Sequence, residues 1–494
     1  MKKGIIALSA VAAFATTSFA NANTDMAAQL EMLKKQIAAL EAKLDTNTES
    51  LSAVVTDVKK NKKKIKKVSK KANTAKALAN NDNLKFNVDF RTSVDKISYK
   101  MADGSKSGND ALLTNRLWLN AAYAPSENVA FYARLSYLKA YGAETQNNQR
   151  DSGNATFDWL TNENAHGDNN LKVKQAYWFY MNDTFLGSDV SWTASVGRRP
   201  STDGMLANGR EDQSRQSALA HTVNVEFDGA SFRWNLDKVT PMEGSWFKLC
   251  MGRGITNATS RFTQNGTDYA NDKVQHADSN MIGFIFVPYD DGQYSLHTNY
   301  AAANNLIGYD GLRYMTMGDT SFYDHGDMNW MTAAFKVDGI GNEISDRLDN
   351  TKFFASYARS ESKPNGEHGG MLGSKEKQAG NSVWVGLQTP CLLSEDGVIG
   401  VEWNKGSKYW RSMTYGEDTM IGSKVAARGT AWEVYYNKPL TKALSASLRY
   451  TKIDYDYSGS NGFFGSASAP VEVTNQANVV AEASDIRAYI RYRY

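Results

Sequence analysis

Apolar and polar residues alternate in segment after segment of this chain, from residue 84 to its last residue. In the first such segment, polar residues separate apolar ones at Leu84, Phe86, Val88 and Phe90. The same spacing recurs at 129–137, 399–403 and 444–450. Successive side chains of a strand point to opposite faces, so each segment predicts an antiparallel strand with one apolar and one polar face.

The links between these segments alternate in length. Short, turn-rich links lie at 124–127, 288–292 and 437–443. The intervening links are long and polar, and they lie at 141–169, 200–219, 304–327, 361–379 and 456–483. Short turns at one end and long loops at the other are typical of outer-membrane barrels. A soluble sandwich has no reason to separate its links in this way.

These patterns predict an all-β fold, an antiparallel transmembrane barrel of about sixteen strands over residues 84–494, in contact with outer-membrane lipids. The predicted strands begin near residues 84, 112, 128, 171, 189, 221, 246, 279, 292, 328, 351, 381, 397, 427, 443 and 484. The apolar phase slips at 228–230, which we interpret as a β-bulge within one long strand. If the slip is a turn, the count becomes eighteen. Either number predicts a water-filled lumen.

The last strand carries the strongest single signal. Its apolar face contains Ile486, Ala488, Ile490, Tyr492 and Tyr494. An aromatic last residue matches the strand that the barrel-assembly machinery recognises in outer-membrane proteins, although phenylalanine is usual there. We expect this strand to pair with the one at Leu84 and to turn Arg487, Arg491 and Arg493 toward the lumen. Taken alone, the segment would also suit an edge strand of a soluble sandwich.

The N-terminus has the pattern of a secretory signal. Lys2 and Lys3 precede an apolar stretch at 4–14, and small residues allow cleavage after Ala20 or Ala22. We therefore expect a signal peptide over 1–22 and export to the outer membrane. Mean hydropathy is −0.51, and no internal run approaches the roughly 20 apolar residues of a spanning helix.

Residues 23–79 predict a helical coiled coil in the periplasm. From residue 24 the segment lacks Gly, Pro and aromatic residues. Apolar residues recur every seven positions from Leu30 to Ala72, with a second series interleaved between them. This is the seam of a left-handed coiled coil. Asn47 and Asn61 fall on the second series, where a buried amide fixes the register.

Charge separates the same two regions. Residues 24–80 carry a net charge of +7, much of it in the lysine run at 59–71, and residues 81–494 carry −6. An exported protein meets little nucleic acid, so we do not expect that partner. A solvated helix face, or contact with an anionic envelope polymer such as peptidoglycan or with lipid head groups, remains open.

Signatures of catalysis are few. No two of the six histidines have metal-ligand spacing, and there is no Cys-x-x-Cys pair, nucleophile elbow or phosphate loop. We therefore expect no enzyme, no metal and no cofactor, while a catalytic triad of dispersed residues remains conceivable. Cys250 and Cys391 are expected to be unpaired rather than bridged, and 289–292 to be a β-turn rather than a calcium site.

Signal, coiled coil, barrel and aromatic terminus together resemble a family of Gram-negative outer-membrane porins with an N-terminal coiled coil, catalogued largely as a domain of unknown function. The resemblance covers the whole chain as an architecture and rests on no catalytic motif. It implies passive diffusion of small hydrophilic solutes or ions through a pore, and a homotrimer, since porins are commonly trimers. Phosphate-selective porins line the pore with basic residues, and a net charge of −6 counts weakly against such a channel.

The segment 197–215 is the most informative local stretch, because it ends the fifth predicted strand and forms the third long loop. In general porins the third loop folds into the lumen, where its acidic residues face wall arginines. That resemblance makes pore-constriction candidates of Arg198, Arg199, Asp203, Arg210, Glu211, Asp212 and Arg215. An ordinary solvated loop with mixed charges is the other interpretation.

Two rival functions remain. A structural tether between the outer membrane and peptidoglycan, or an adhesin without significant channel activity, would also use a barrel and a basic coiled coil. An energised receptor needs a globular plug, and an assembly factor needs repeated periplasmic domains. Residues 23–79 match neither of these last two. The sequence does not disclose the solute.

Overall fold

The computed structural model describes a few helical residues of the N-terminal region and most of the β-rich region. The described residues are 31, 34–39, 84–142, 171–200, 204–210, 212–213, 218–258, 266–271, 276–319, 321–341, 344–414, 419–460, 462–474 and 479–494. The predicted signal peptide, the register positions Asn47 and Asn61 and the lysine run lie outside them. No helix within these ranges combines the length and apolar character needed to cross a membrane.

The β-rich region is a closed barrel of sixteen strands, numbered here in chain order. They are β1 Leu84–Met101, β2 Lys106–Tyr123, β3 Val129–Ala140, β4 Lys172–Asn182, β5 Trp192–Pro200, β6 Glu226–Asn235, β7 Trp246–Ile255, β8 Ser279–Asp290, β9 Tyr294–Ala303, β10 Gly326–Asp338, β11 Lys352–Pro364, β12 Ala379–Pro390, β13 Val398–Gly406, β14 Gly429–Pro439, β15 Leu444–Tyr455 and β16 Val480–Arg493. The predicted all-β barrel and its sixteen strands are confirmed.

Shorter elements lie in the connections. Two-residue strands occur at Val223–Asn224 and Met413–Thr414, and three-residue strands at Ile307–Tyr309 and Phe322–Asp324. The helices are α1 Gly311–Met317 and α2 Asp346–Asp349, with a 3₁₀ turn at Ser466–Ser468. Asp310 caps α1 by accepting hydrogen bonds from the first-turn amides, and Gly318 ends it in the left-handed conformation.

Every barrel strand pairs antiparallel with its neighbours in the chain, and the last strand closes the ring. In that seam β16 pairs with β1, from Asp89 opposite Arg493 to Met101 opposite Val480. Closure leaves no unpaired strand edge, which is the condition for a sheet within a bilayer. The expected pairing of the last strand with the strand at Leu84 is therefore present.

The outer surface of the barrel is apolar. Its exposed side chains include Val94, Phe131, Trp178, Ile282, Phe284, Met331, Phe335, Tyr357, Val383, Val401, Trp432, Leu448 and Ile490. The residues that alternate with them along each strand point inward and are mostly polar or small. An apolar outer belt with interspersed aromatic residues is the surface that a membrane barrel presents to lipid.

The expected β-bulge at 228–230 is wrong. β6 starts at Glu226 and pairs with β5 and β7 without any shift of register. The two residues Val223 and Val225 are buried inside the barrel, and Val223–Asn224 pairs in parallel with Met413–Thr414. The apolar phase changes because the earlier segment packs in the lumen and the later one faces outward.

The expected water-filled lumen also needs correction. Two connections fold into the barrel, and we call their described residues the luminal insert: 204–225 between β5 and β6, and 407–428 between β13 and β14. Most residues of the insert are almost completely buried, and they hydrogen-bond to inward-facing side chains of the wall. Part of the lumen is therefore packed like a protein core.

Candidate functional site

The luminal insert covers the inner face of β9 to β14 with apolar side chains. In one cluster Val225 and Met413 pack with Trp330 of β10, and in a second Leu219 packs with Trp384 of β12. All five side chains are at most 1% exposed. Each such side chain contributes roughly 1.5–3 kcal/mol by leaving water. This side of the lumen is dry.

His221 of the insert is completely buried. Its ring nitrogens are 2.8 Å and 2.9 Å from the hydroxyl oxygens of Ser356 and Ser382 on the wall. The ring packs edge-on against Trp384 and Trp410, at centroid distances of 5.7 Å and 5.6 Å. Complete burial disfavours the charged ring and lowers the pKa of His221 from 6.5 to about 3. A neutral imidazole thus links the insert to two strands.

Four buried charges, which we call the ion clamp, join the insert to β13 and β14. Glu402 and Glu433 lie directly opposite each other on these strands. Lys424 of the insert bridges them, with its Nζ atom 2.7 Å and 2.6 Å from their carboxylate oxygens. Arg210 adds a contact of 2.8 Å to Glu433.

Further hydrogen bonds complete the ion clamp. Thr451 donates to Glu433 at 2.8 Å, and the indole of Trp384 donates to Glu402 at 3.0 Å. Like charges opposite each other in a sheet repel, so this pair depends on cations delivered by the insert. Buried ions are tolerated when they are paired and hydrogen-bonded in this way.

The predicted constriction residues occupy different places. Arg210 is inside the barrel in the ion clamp, and Asp212 forms an ion pair with Arg493 of β16. Arg198 pairs with Glu226 at 3.6 Å, and Arg199 lies 4.2 Å over the ring of Tyr177. The remaining candidates lie outside the described residues: Asp203, Glu211 and Arg215.

The opposite side of the lumen is polar and basic. We call it the seam wall, the inward faces of β15, β16 and β1 to β4. Its basic side chains include Arg91, Arg116, Arg134, Lys174, Arg449, Arg487, Arg491 and Arg493. Its acidic side chains, among the described residues, are Asp89, Asp95 and Asp485. These carboxylates lie beside arginines, as in the contacts of 2.5 Å from Arg487 to Asp95 and 2.8 Å from Arg491 to Asp89.

A cavity of about 660 Å³ opens beside the seam wall at the end of the barrel that carries the short turns. We call it the vestibule. The guanidinium of Arg134 lies 4.3 Å over the indole of Trp118, which also contacts Arg116 at 3.7 Å. Arg134 donates through Nε to Asn120 at 2.6 Å. Aromatic stacking and this hydrogen bond fix the orientation of the arginine.

A second cavity, of about 450 Å³, opens at the same end. The two cavities share Gln213, Arg491 and Arg493 in their linings. The ion pair between Asp212 and Arg493 therefore lies where a descending loop meets the seam wall. Asp212 is a predicted candidate, and Arg493 is one of the arginines expected to face the lumen.

At the other end, long loops close over the insert. The amide of Phe464 donates to Ile307, and the amide of Leu372 donates to Phe464, at 3.0 Å and 2.8 Å. Phe463 and Phe464 join the same apolar cluster as Val225. Three connections, after β9, β11 and β15, thus form one interlocked lid over the dry side of the lumen.

Of the ion clamp, sequence reasoning singled out Arg210 alone, and it did not single out His221. Glu402 and Glu433 fall on the polar face of their strands, which is a visible signal. Their partners come from loops: Lys424 is 22 residues from Glu402 in the chain, and Arg210 is 223 residues from Glu433. Periodicity along the chain cannot reveal such contacts. Cys250 and Cys391 are free thiols. No group of three or more His, Cys, Asp or Glu residues within the described ranges could hold a metal ion.

Comparison with known proteins gave one family match and several solved structures. OprB of Pseudomonas putida is 13% identical, with 83% of this chain and 94% of that chain covered and a TM-score of 0.46. OmpF of Salmonella typhi is 10% identical, with 84% and 99% covered and a TM-score of 0.45. An anion-selective porin from Comamonas acidovorans is 11% identical, with 83% and 100% covered and a TM-score of 0.45.

At these identities and scores the solved structures assign no function to this chain. No curated protein matches its sequence. The family match is to the model described as "Protein of unknown function (DUF3373)", and it spans residues 106–494. That span includes fifteen of the sixteen barrel strands and more than half of the whole chain. This chain therefore belongs to the DUF3373 family.

Proposed function

We propose that this chain is a porin of the outer membrane, which allows passive diffusion of small hydrophilic solutes or ions. The observation that carries the proposal is the closed sixteen-strand barrel with an apolar outer belt and a polar inner wall. Barrels of this strand number leave room for an aqueous path. In this proposal the protein transports solutes and catalyses no reaction.

The path runs along one side of the lumen. Because the luminal insert packs against β9 to β14, solutes pass between the insert and the seam wall. The predicted candidates Arg198, Arg199, Asp203, Glu211, Asp212 and Arg215 form the constriction together with that wall. In this arrangement the insert sets the width of the path, and the seam wall sets its charge.

The remaining architecture follows the usual plan of such proteins. A signal peptide covers 1–22, a periplasmic coiled coil covers 23–79, and the barrel covers 84–494. The short turns face the periplasm and the long loops face outward. The barrel-assembly machinery recognises the C-terminal strand, and the coiled coil supports a homotrimer with Asn47 and Asn61 fixing its register.

Conductance of the purified full-length chain in planar lipid bilayers tests the proposal. We expect steps of ohmic conductance that scale with salt concentration. Absence of conductance from protein that resists SDS at room temperature and shifts in mobility on heating would show a folded barrel without a channel.

A structural tether is the second candidate, and the dry packing of half the lumen favours it. A barrel that serves as an anchor can be filled, and the lysine run at 59–71 supplies charge for binding an anionic cell-wall polymer. Co-sedimentation with peptidoglycan, lost when 24–79 are deleted, would support it. The two functions are compatible in one protein.

A further inference from the structure

We propose that the permeant solutes are small anions bearing carboxylate or phosphate groups, and that Arg134 and Arg493 of the vestibule select them. The inference rests on the proposed channel function and names its substrate class. It follows from where the charges lie inside the barrel, and from the geometry of the vestibule.

The seam wall carries an excess of positive charge. Among the described residues eight of its side chains are basic and three are acidic, and two carboxylates from outside the wall, Glu226 and Asp212, pair with Lys174 and Arg493. Three positive charges remain in excess after these pairs are counted. Across the lumen, the ion clamp contains two cations and two carboxylates and is neutral overall. The path between them therefore has a positive side and a neutral side. A fixed charge of one sign along a narrow aqueous path attracts solutes of the opposite sign.

The net charge of the whole barrel region is opposite in sign to the charge of the seam wall. Residues 81–494 carry −6, although the seam wall is basic. Acidic side chains lie instead on outward faces and loops, as do Asp110, Asp228 and Glu367, each with a side chain more than 60% exposed. A charge on the outer surface is screened by salt within about 10 Å. The inner wall decides selectivity.

The vestibule has the groups that recognise an oxyanion. Arg134 lies 4.3 Å over the ring of Trp118, and a guanidinium offers paired donors that match a carboxylate or phosphate. Arg493 lines the same cavity, is 38% exposed and pairs with Asp212. The amide side chains of Asn87 and Gln175 add neutral donors to the lining. A volume of about 660 Å³ suits one small organic ion.

Reversal potentials across a potassium chloride gradient, measured with the full-length protein, test the inference. We expect the wild-type protein to pass chloride in preference to potassium. Arg134→Gln and Arg493→Gln should each lower the chloride-to-potassium permeability ratio by about sevenfold, because one charge at ~7 Å in water favours chloride and disfavours potassium by about 2.7-fold each. Inorganic phosphate should reduce the chloride current of the wild-type protein and do so less in both variants.

Lys139→Gln is the matched control. It removes one positive charge from β3, the strand of Arg134, but Lys139 points outward by the alternation along the strand. Heat-modifiable mobility in SDS gels checks that each variant folds. If Arg134→Gln does not fold, Arg493→Gln still tests the proposal.

The outcomes separate the two levels of the proposal. Wild-type protein without conductance would overturn the porin function itself. Conductance with equal or greater permeability for potassium would overturn anion selection and leave the porin function standing. An equal change of the chloride-to-potassium permeability ratio in Arg134→Gln and Lys139→Gln would show that the vestibule is not the cause of anion selection.

Discussion

Glu402 and Glu433 show that buried carboxylates are tolerated when cations pair with them. Without these cations, the same two carboxylates would destabilise the barrel. Adjacent carboxylates on one face of a sheet repel each other, and both are almost fully buried. Lys424 and Arg210 supply two positive charges from separate loops. The attraction is therefore conditional on the insert being in place, and the insert is held by the same attraction.

Replacing one clamp carboxylate should loosen the insert. Glu433→Gln leaves Arg210 and Lys424 with less negative charge, and breaking a buried ion pair costs about 3–5 kcal/mol. We expect larger and noisier single-channel conductance, and faster proteolysis within the insert. Glu482→Gln, at an exposed position on the neighbouring seam, is the control. Unchanged conductance in Glu433→Gln would show that the ion clamp does not position the insert.

His221 should make the packed insert sensitive to acid. In the unfolded insert the pKa is near 6.5, and in the folded insert it is lowered to about 3. The unfolded form therefore takes up a proton first, so the stability that His221 contributes is complete above pH 6.5 and is lost as the pH falls from 6.5 toward 3. The loss is about 1.4 kcal/mol per pH unit.

Thermal unfolding of the purified barrel between pH 4 and 8 would measure this effect of His221. The wild-type protein should lose stability on acidification, and His221→Gln should show a flatter pH dependence. Parallel pH profiles for the two proteins would contradict the assignment.

At the scale of elements, most of the barrel could be predicted because the bilayer imposes a regular pattern. Alternation marks a strand only where one of its faces is apolar and the other is polar. The start of β2 was predicted near residue 112 and lies at Lys106, because both faces of 106–110 are polar where the strand extends beyond the apolar belt. The start of β6 was misplaced for the opposite reason, since Val223 and Val225 are apolar through packing in the lumen.

The candidate site was less predictable than the strands. Arg210 and Asp212 were found because a charged third loop stands out in sequence. Their partners Glu433 and Arg493 belong to strands far along the chain. Pairing across the lumen depends on how loops fold inward, and no periodicity along the chain records it.

Removing one half of the luminal insert should widen the path without destroying the barrel. If 407–428 are replaced by a short glycine-containing turn, the strands β13 and β14 still pair through Val398 to Lys405. We expect retained heat-modifiability and increased conductance. Deleting 312–317 in the exposed helix α1, which has no buried residue, is the control and should leave the conductance unchanged. A deletion of 407–428 without any gain would place the narrowest point elsewhere.

At the scale of the whole molecule, the seam between β1 and β16 completes the fold. β16 pairs with β15 on one side and with β1 on the other, so each end of the chain's β-region stabilises the other. A barrel lacking this strand would expose two hydrogen-bonding edges to lipid, each unsatisfied group costing several kcal/mol.

Deletion of 480–494 should therefore abolish assembly. We expect no heat-modifiable species in the outer-membrane fraction, since closure is impossible. Tyr494→Phe keeps an aromatic end and should assemble normally. A folded barrel from the truncated chain would mean that β15 can close directly on β1.

The division of the lumen into an apolar packed side and a charged side with an open vestibule has a consequence for how such a protein can change over evolutionary time. Substitutions beneath the insert act on a packed core, where a lost methyl group lowers stability. Substitutions in the vestibule, at side chains such as the 38% exposed Arg493, act on a surface that water already reaches. Residues of the vestibule can thus change and alter which solutes pass, while the packed residues beneath the insert maintain the stability of the barrel. Selectivity and stability can therefore evolve separately.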